Sequence, residues 1–252
     1  MPASYAHYRF GKQALKIMPP EARQCVQRFR RMYDAGLQGP DIFFYYNPCW
    51  KTQVGTLGKT FHGKTGGEFF PAACKAASSE AARAYLYGLL AHYCLDAGCH
   101  GFIRQLETAG EADHVVFEAE FERFLLVLDG QSQPESYDIS SKLRLTRGEC
   151  LSVAEFYPGT TGGQISHSVR SMARSLRFLA KPGREKLLRK LGLSFADFVI
   201  PAEDNEDHTL YLGELKALYD DALAQYPRML ENLLAHMEHG HDLGPEFEKT
   251  FG

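Results

Sequence analysis

His92, Asp96 and His100 stand four residues apart at the end of a run from Ala82 to Tyr93 that is apolar nearly all round. On a helix, positions four apart share one face, so the three side chains form a single stripe. A helix apolar on every side belongs in the interior, where an unpaired charge is very costly. The stripe therefore needs partners. His114 and Glu118 supply a second stripe of the same kind, fourteen residues after His100. Imidazole and carboxylate are the ligands that zinc and similar divalent metals take. Two facing stripes on consecutive helices satisfy one another most easily through bound cations. Several metals close together would activate water and stabilise both attacking and leaving oxygens in phosphoester hydrolysis.

The rest of the chain reads as helix. Pro19-Pro20-Glu21 opens a segment whose apolar face is Val26, Phe29, Met32 and Tyr33, ended by Gly36 to Pro40. Asp41 to Pro48 is an aromatic run, either a short helix or a buried extended piece. The glycine-rich residues 51–68 read as a long loop. Ser78-Ser79-Glu80 caps the central helix, which Gly101 is expected to break. Residues 114–128 form another helix, and Thr146-Arg147-Gly148-Glu149 fits a capping box. Helical patterns follow over 164–180, 184–192 and 207–239, the last with a kink expected at Pro227. Strand alternation and internal repeats are absent. The expected class is all-α, a multi-helix bundle with a metal cluster between helices. Residues 1–252 are expected to form one domain, with residues 1–130 as its metal-site half and 131–252 as a helical remainder without a recognised motif.

Composition narrows the function classes. The hydrophobic share of 44% allows a sizeable core, and a net charge of -3 gives no case for nucleic acid. Charge is nonetheless uneven. Residues 169–190 carry Arg170, Arg174, Arg177, Lys181, Arg184, Lys186, Arg189 and Lys190 against Glu185 alone, while the chain from residue 201 onward is acidic. Either these are solvated faces, or the basic one attracts an anionic substrate or lipid headgroup. No run reaches the length of a membrane span, and the start lacks the pattern of a secretory signal. The six cysteines, Cys25, Cys49, Cys74, Cys94, Cys99 and Cys150, are scattered rather than arranged as a disulfide framework. The expectation is a reduced, cytoplasmic protein. Cys94 and Cys99 lie off the His92/Asp96/His100 stripe and are expected to be buried thiols, and Glu120 and Glu122 to face solvent.

The ordered set of candidate ligands resembles the zinc-dependent phospholipase C family, which shares its helical fold with the P1-type nucleases. The residues that carry the resemblance are His7, Asp41 before Phe43-Phe44-Tyr45-Tyr46-Asn47-Pro48, His62 in Thr60-Phe61-His62-Gly63, His92-x-x-x-Asp96, His100, and His114-x-x-x-Glu118. By that resemblance His62, His92 and Asp96 would hold one zinc and His100, His114 and Glu118 a second. Asp96 would bridge to a third ion held also by His7, and Asp41 would stand beside the activated water as general base. Read from the residues alone, Asp41 is also a candidate helix cap. The chain departs from the secreted members in a shorter step from Asp96 to His100. It also lacks an N-terminal Trp to ligate the third ion, a place that the Pro2 amine would have to take. The resemblance spans residues 7–118 and leaves substrate recognition uncovered.

The expected activity is a metal-dependent phosphoric ester hydrolase with two or three zinc ions, acting on a phospholipid or on a soluble phosphodiester or nucleotide. Two other classes stay open. One is a non-catalytic helical metal-binding protein. The other is a helical phosphohydrolase of the His-Asp dipeptide type, for which the chain offers only His241-Asp242. A further metal site at His236, His239 and His241 is the bolder reading of that cluster, the plainer one being cationic side chains at a helix C-terminus.

Overall fold

Six of the α-helices among the described residues begin at a side-chain cap written in the sequence. Thr52, Ser79 and Asp113 accept the backbone N–H of Gly55, Ala82 and Val115/Val116. Thr65, Thr146 and Thr161 form full capping boxes with Glu68, Glu149 and Gln164. Each cap satisfies donors that the first turn leaves without an intrahelical acceptor and contributes about 1 kcal/mol.

The computed structural model describes residues 4–48 and 50–252, so Met1, Pro2 and Cys49 lie outside the described residues. Its α-helices are α1 (Ser4–Ile17), α2 (Pro20–Arg28), α3 (Arg30–Gly36), α4 (Gln53–His62), α5 (Gly66–Ala76), α6 (Glu80–Ala109), α7 (His114–Leu128), α8 (Arg147–Ala154), α9 (Gly162–Leu179), α10 (Arg184–Lys190) and α11 (Thr209–His239). Short 3₁₀ segments fill some connections, among them Gly39–Tyr45 and Ser194–Phe198. Thr65 and Thr250 make an isolated antiparallel bridge, and there is no strand among the described residues. The class is all-α.

Helix α6 is the axis of the fold. It packs against α1, α2, α3, α5, α7, α8 and α11. Tyr85, Leu86, Leu89, Leu90 and Tyr93 are fully or almost fully buried along it, and complete burial of an apolar side chain of this size contributes about 1.5–3 kcal/mol. Its crossing with α3 is set by two glycines. A Cβ on Gly36 would lie 2.2 Å from the Tyr85 carbonyl oxygen, and one on Gly88 would lie 2.3 Å from that of Tyr33. Backbone therefore meets backbone, and the Pro40–Asp41 segment is drawn in beside α6.

Several expectations are corrected here. Residues 53–62 are helix α4, not loop. Its glycines mark close packing: Gly58 faces the Phe44 ring, where an added Cβ would come within 3.1 Å. Gly101 does not break α6, which runs on until Gly110 (φ 73°) ends it. A helical glycine costs about 1 kcal/mol, less than burial of Ile103 and Leu106 beyond it returns. The segment after Pro19 is two helices, broken at Phe29 (φ -117°, ψ 44°). Helix α11 runs through Pro227 as one element, as expected, and Tyr226, Met229 and Leu230 near it are buried. Glu120 and Glu122 are buried, at 7% and 4% exposure, rather than solvent-facing. Cys94 and Cys99 are buried free thiols, as expected.

A second, small apolar cluster of Leu179, Leu188, Ala196 and Val199, packed with Phe195 and Phe198, joins the end of α9 to α10 and the 3₁₀ segment that follows.

Candidate metal centre

Five elements converge on one buried volume. Helix α1 brings His7, the 3₁₀ segment Gly39–Tyr45 brings Asp41, and the last turn of α4 brings His62. Helix α6 brings His92, Asp96 and His100, and α7 brings His114 and Glu118. The eight residues named from the sequence thus stand together. All are buried except His114, whose side chain is 22% exposed. Gly39 makes the convergence sterically possible: it sits at φ +46°, and a Cβ there would fall 2.5 Å from the His92 ring.

Asp96 is the centre. Its carboxylate lies 3.3 Å from His7 Nε2, 3.1 Å from His92 Nε2, 3.4 Å from His100 Nδ1 and 3.8 Å from His62 Nε2. Asp41 Oδ1 is 2.8 Å from His62 Nε2. Glu118 Oε1 is 3.4 Å from both His100 Nε2 and His114 Nε2. The shorter step from Asp96 to His100 is absorbed by unbroken helix, which sets His100 one turn on and within reach of α7. Three groups have donor atoms all within 4.8 Å of one another: His62/His92/Asp96, His100/His114/Glu118 and His7/Asp41/His92. The first two have the composition that the family resemblance implies, and each draws on the stripes of α6 or α7. The third places Asp41 with His7 and His92.

The donor chemistry fits a metal. His62 Nδ1 lies 2.7 Å from the Gly58 carbonyl oxygen and His92 Nδ1 lies 3.2 Å from that of Leu37. Donation to these carbonyls fixes Nδ1–H and leaves the Nε2 lone pair aimed inward, the arrangement that orients ligating imidazoles. His62 Nε2, His92 Nε2, His100 Nε2, Asp41 Oδ1, Asp96 Oδ2 and Glu118 Oε2 are buried without a hydrogen-bond partner among the described residues. The side chains approach closely yet do not align donor to acceptor. Native interiors rarely leave so many polar atoms unsatisfied at one place. His7, Asp96, His100 and Glu118 also line a small cavity between α1, α6 and α7.

Electrostatics point the same way. Burial alone would push the Asp96 carboxyl up, but His92, His100 and His7 hold it well below the usual carboxylate range. Glu118 opposes its burial likewise and is held at about 2 by His100 and His114. Asp41 is lowered by His62 and His92 against the effect of burial. The imidazoles of His62 and His100 are pushed up by these carboxylates despite burial, and His114 is raised chiefly by Glu118. The acids stay ionised, and protons or metal cations compete for the imidazoles.

A family model described as zinc-dependent phospholipase C matches residues 6–157. The chain belongs to this family. The match contains all eight converging residues and runs past Glu118 through α8 to Tyr157, whose hydroxyl lies 2.8 Å from that of Tyr85 in the core. No curated protein matches the chain, and no solved structure does either. Membership of a zinc-dependent phospholipase C family, with groups of His, Asp and Glu placed to bind metal, makes the chain a metal-dependent hydrolase with zinc as the supported metal. No helix is long and apolar enough to cross a membrane among the described residues.

Sequence reading missed Glu122 and Phe251 near the centre, and the burial of Glu120 on the other face of α7. Glu122 continues the α7 stripe one turn beyond Glu118, and its carboxyl oxygen Oε1 accepts the backbone N–H groups of Tyr5 and, at 3.0 Å, Ala6. It thereby caps the helix that presents His7. The four-residue spacing His114, Glu118, Glu122 was the available signal. Glu120 is held by His208 (2.5 Å) and Asn205 (3.1 Å), partners far away in sequence. Phe251 is fully buried, with its ring 6.2 Å from that of His62 and 4.8 Å from that of Tyr93. Nothing local marks it as a wall of the centre. His236, His239 and His241 form no metal-binding group among the described residues.

Proposed function

We propose that the chain is a phospholipase C-like phosphodiesterase of two or more zinc ions, folded as one α-helical unit. His62, His92 and Asp96 hold one ion, and His100, His114 and Glu118 hold a second. Asp96 bridges toward His7, where a third would sit. Zinc so held lowers the pKa of a coordinated water and takes up charge on phosphoryl oxygens.

The observation that carries this reading is the set of inward imidazole Nε2 and carboxylate atoms left unpartnered while Nδ1 of His62 and His92 is tied to backbone carbonyls. An interior that closed only on itself would pair those atoms. Asp41 is the acceptor proposed for the proton of the attacking water. It is held ionised by its neighbours and stands 2.8 Å from His62, on a rigid 3₁₀ turn. Four residues on, Tyr45 joins Ser4, Tyr5 and Glu122 in lining a cleft that continues between Leu176, Leu179, Ala180, Phe198 and Ile200. The cleft is small, and what supports phospholipid over nucleotide is the description of the family model.

The test is hydrolysis by the purified zinc-loaded protein of a dispersed phosphatidylcholine, a chromogenic aryl phosphodiester and a dinucleotide. Phospholipid cleavage at the diacylglycerol side of phosphorus is expected, with slower turnover of the aryl ester. Bound zinc without cleavage of any of the three would favour the non-catalytic alternative, and dinucleotide cleavage alone would reassign the substrate.

A further inference from the structure

The basic segment noted in the sequence becomes a surface in three dimensions. Leu188 faces inward onto Leu179, Ala196 and Val199, which fixes the rotation of α10. The adjoining side presents Leu187 and the C-cap residue Leu191, four residues apart, at 46% and 61% exposure. Leu193 and Phe178 are also exposed, at 47% and 45%. The Arg184 guanidinium lies 4.0 Å from the centre of the Phe178 ring and ties the end of α9 to the start of α10. Lys181, Lys186, Arg189 and Lys190, which alternate with these apolar residues along the segment, are also exposed. Arg189 is neutralised by Glu185 (3.0 Å) and Asp197 (3.4 Å). Arg174, Lys181 and Lys190 have no acidic partner within 4.0 Å among the described residues; Lys186 has none at that distance either, although it shares the lining of a neighbouring cleft with Glu185, Asp197, Glu203 and Asp204.

We infer that this face of α9, α10 and the following turn docks on an anionic phospholipid bilayer. Charge complementarity selects the occupant. Unpaired lysines match an anionic surface, and four large apolar side chains that alternate with them along the segment match the headgroup–acyl boundary. Nucleic acid would use the cations but gains nothing from exposed leucines. Exposed Leu151 and Leu210 stand without a basic cluster in their own helix turns, so exposure alone does not single out this face. The docking surface stands whatever the reaction is. Its service to catalysis rests on the reading above: Leu176, Leu179 and Ala180 of the same α9 end also wall the cleft that reaches Tyr45 and Glu122.

The experiment is co-sedimentation of the zinc-loaded protein with vesicles of pure phosphatidylcholine and with vesicles holding about one-third phosphatidylserine. Binding to the anionic vesicles, little binding to the neutral ones, and release at about 0.5 M NaCl are expected. Each basic side chain at such a surface is worth roughly a five-fold change in partitioning. Lys186→Glu with Lys190→Glu should therefore lower it by more than ~10-fold, and Leu187→Ser with Leu191→Ser by several-fold, with helix content and aryl phosphodiester turnover retained in both. Equal partitioning onto neutral and anionic vesicles, wild-type partitioning by both variants, binding to duplex DNA in place of vesicles, or a solution dimer that Leu187→Ser with Leu191→Ser dissolves would each overturn the inference. Loss of vesicle binding with intact aryl ester turnover would leave the hydrolase reading standing. Intact binding without turnover would leave the docking surface standing.

Discussion

The interior of α6 and α7 and the outer face of α9 and α10 are both rich in ionisable groups, and they place them under opposite conditions. In the interior, Asp41, Asp96 and Glu118 are buried and surrounded by imidazoles whose inward nitrogens have no aligned partner. On the outer face, Lys181, Lys186 and Lys190 are exposed, with no acidic oxygen within 4.0 Å among the described residues. Buried polar atoms left without an aligned hydrogen bond are rare at such density, so the interior group fits a resident cation. A solvated lysine costs nothing, so the outer group implies at most a partner that comes and goes. The difference separates a part of the fold from a docking surface, and each change below acts on one side of it.

The largest effect is expected from Asp96→Ala. Asp96 touches four imidazoles. Its loss should empty the centre, lower turnover by more than the ~10²-fold that loss of an outer metal partner costs, and lower the melting temperature, since bound metal stabilises the fold that binds it. Elemental analysis and calorimetry on one preparation check this, and unchanged zinc with an unchanged melting temperature would break the comparison on its interior side. Asp41→Asn should retain most of the zinc and reduce turnover by about 10²–10⁴-fold, the range of general base catalysis. Loss of zinc from that variant would make Asp41 a ligand.

Glu122 gives a pH-dependent test. Burial pushes its carboxyl up to about 8, only partly offset by the N–H groups of Ala6 and Tyr5, whereas an unfolded glutamate titrates near ~4.3. Stability from this group is complete below about pH 4, falls as pH rises, and is lost above about pH 8. Glu122→Gln keeps an acceptor for both N–H groups and removes the titration. It should match wild type near pH 4 and exceed it by a few kcal/mol near pH 9, read as urea midpoints. A constant difference across pH would contradict the assignment. Gly36→Ala forces a Cβ onto the Tyr85 carbonyl and should cost ~1–3 kcal/mol with zinc retained, which separates fold stability from metal loss. The smallest change in stability, within about 0.5 kcal/mol, is expected for Lys186→Glu with Lys190→Glu, although vesicle binding should fall sharply.

The same comparison explains what the sequence made legible. Helical spacing announced His92/Asp96/His100 and His114/Glu118, because local periodicity alone decides which side chains share a face. The caps at Thr146 and Ser79 were equally local and equally visible. The glycines misled in both directions. Gly58 and Gly101 looked like breakers, but one is pressed on Phe44 and the other lies in a helix held by residues beyond it. Burial of Glu120 depends on His208 and Asn205, and that of Glu122 on the start of α1, contacts that no local pattern encodes. Phe251 beside His62 is the extreme case, since only tertiary closure brings it there.

Zinc per chain, measured by elemental analysis of the gel-filtered protein beside Asp96→Ala, tests the central claim most directly. Two or more zinc ions in the wild type and a loss of at least one in the variant are expected. A wild-type chain with full helix content, full solubility and no zinc after incubation with the metal would contradict the account.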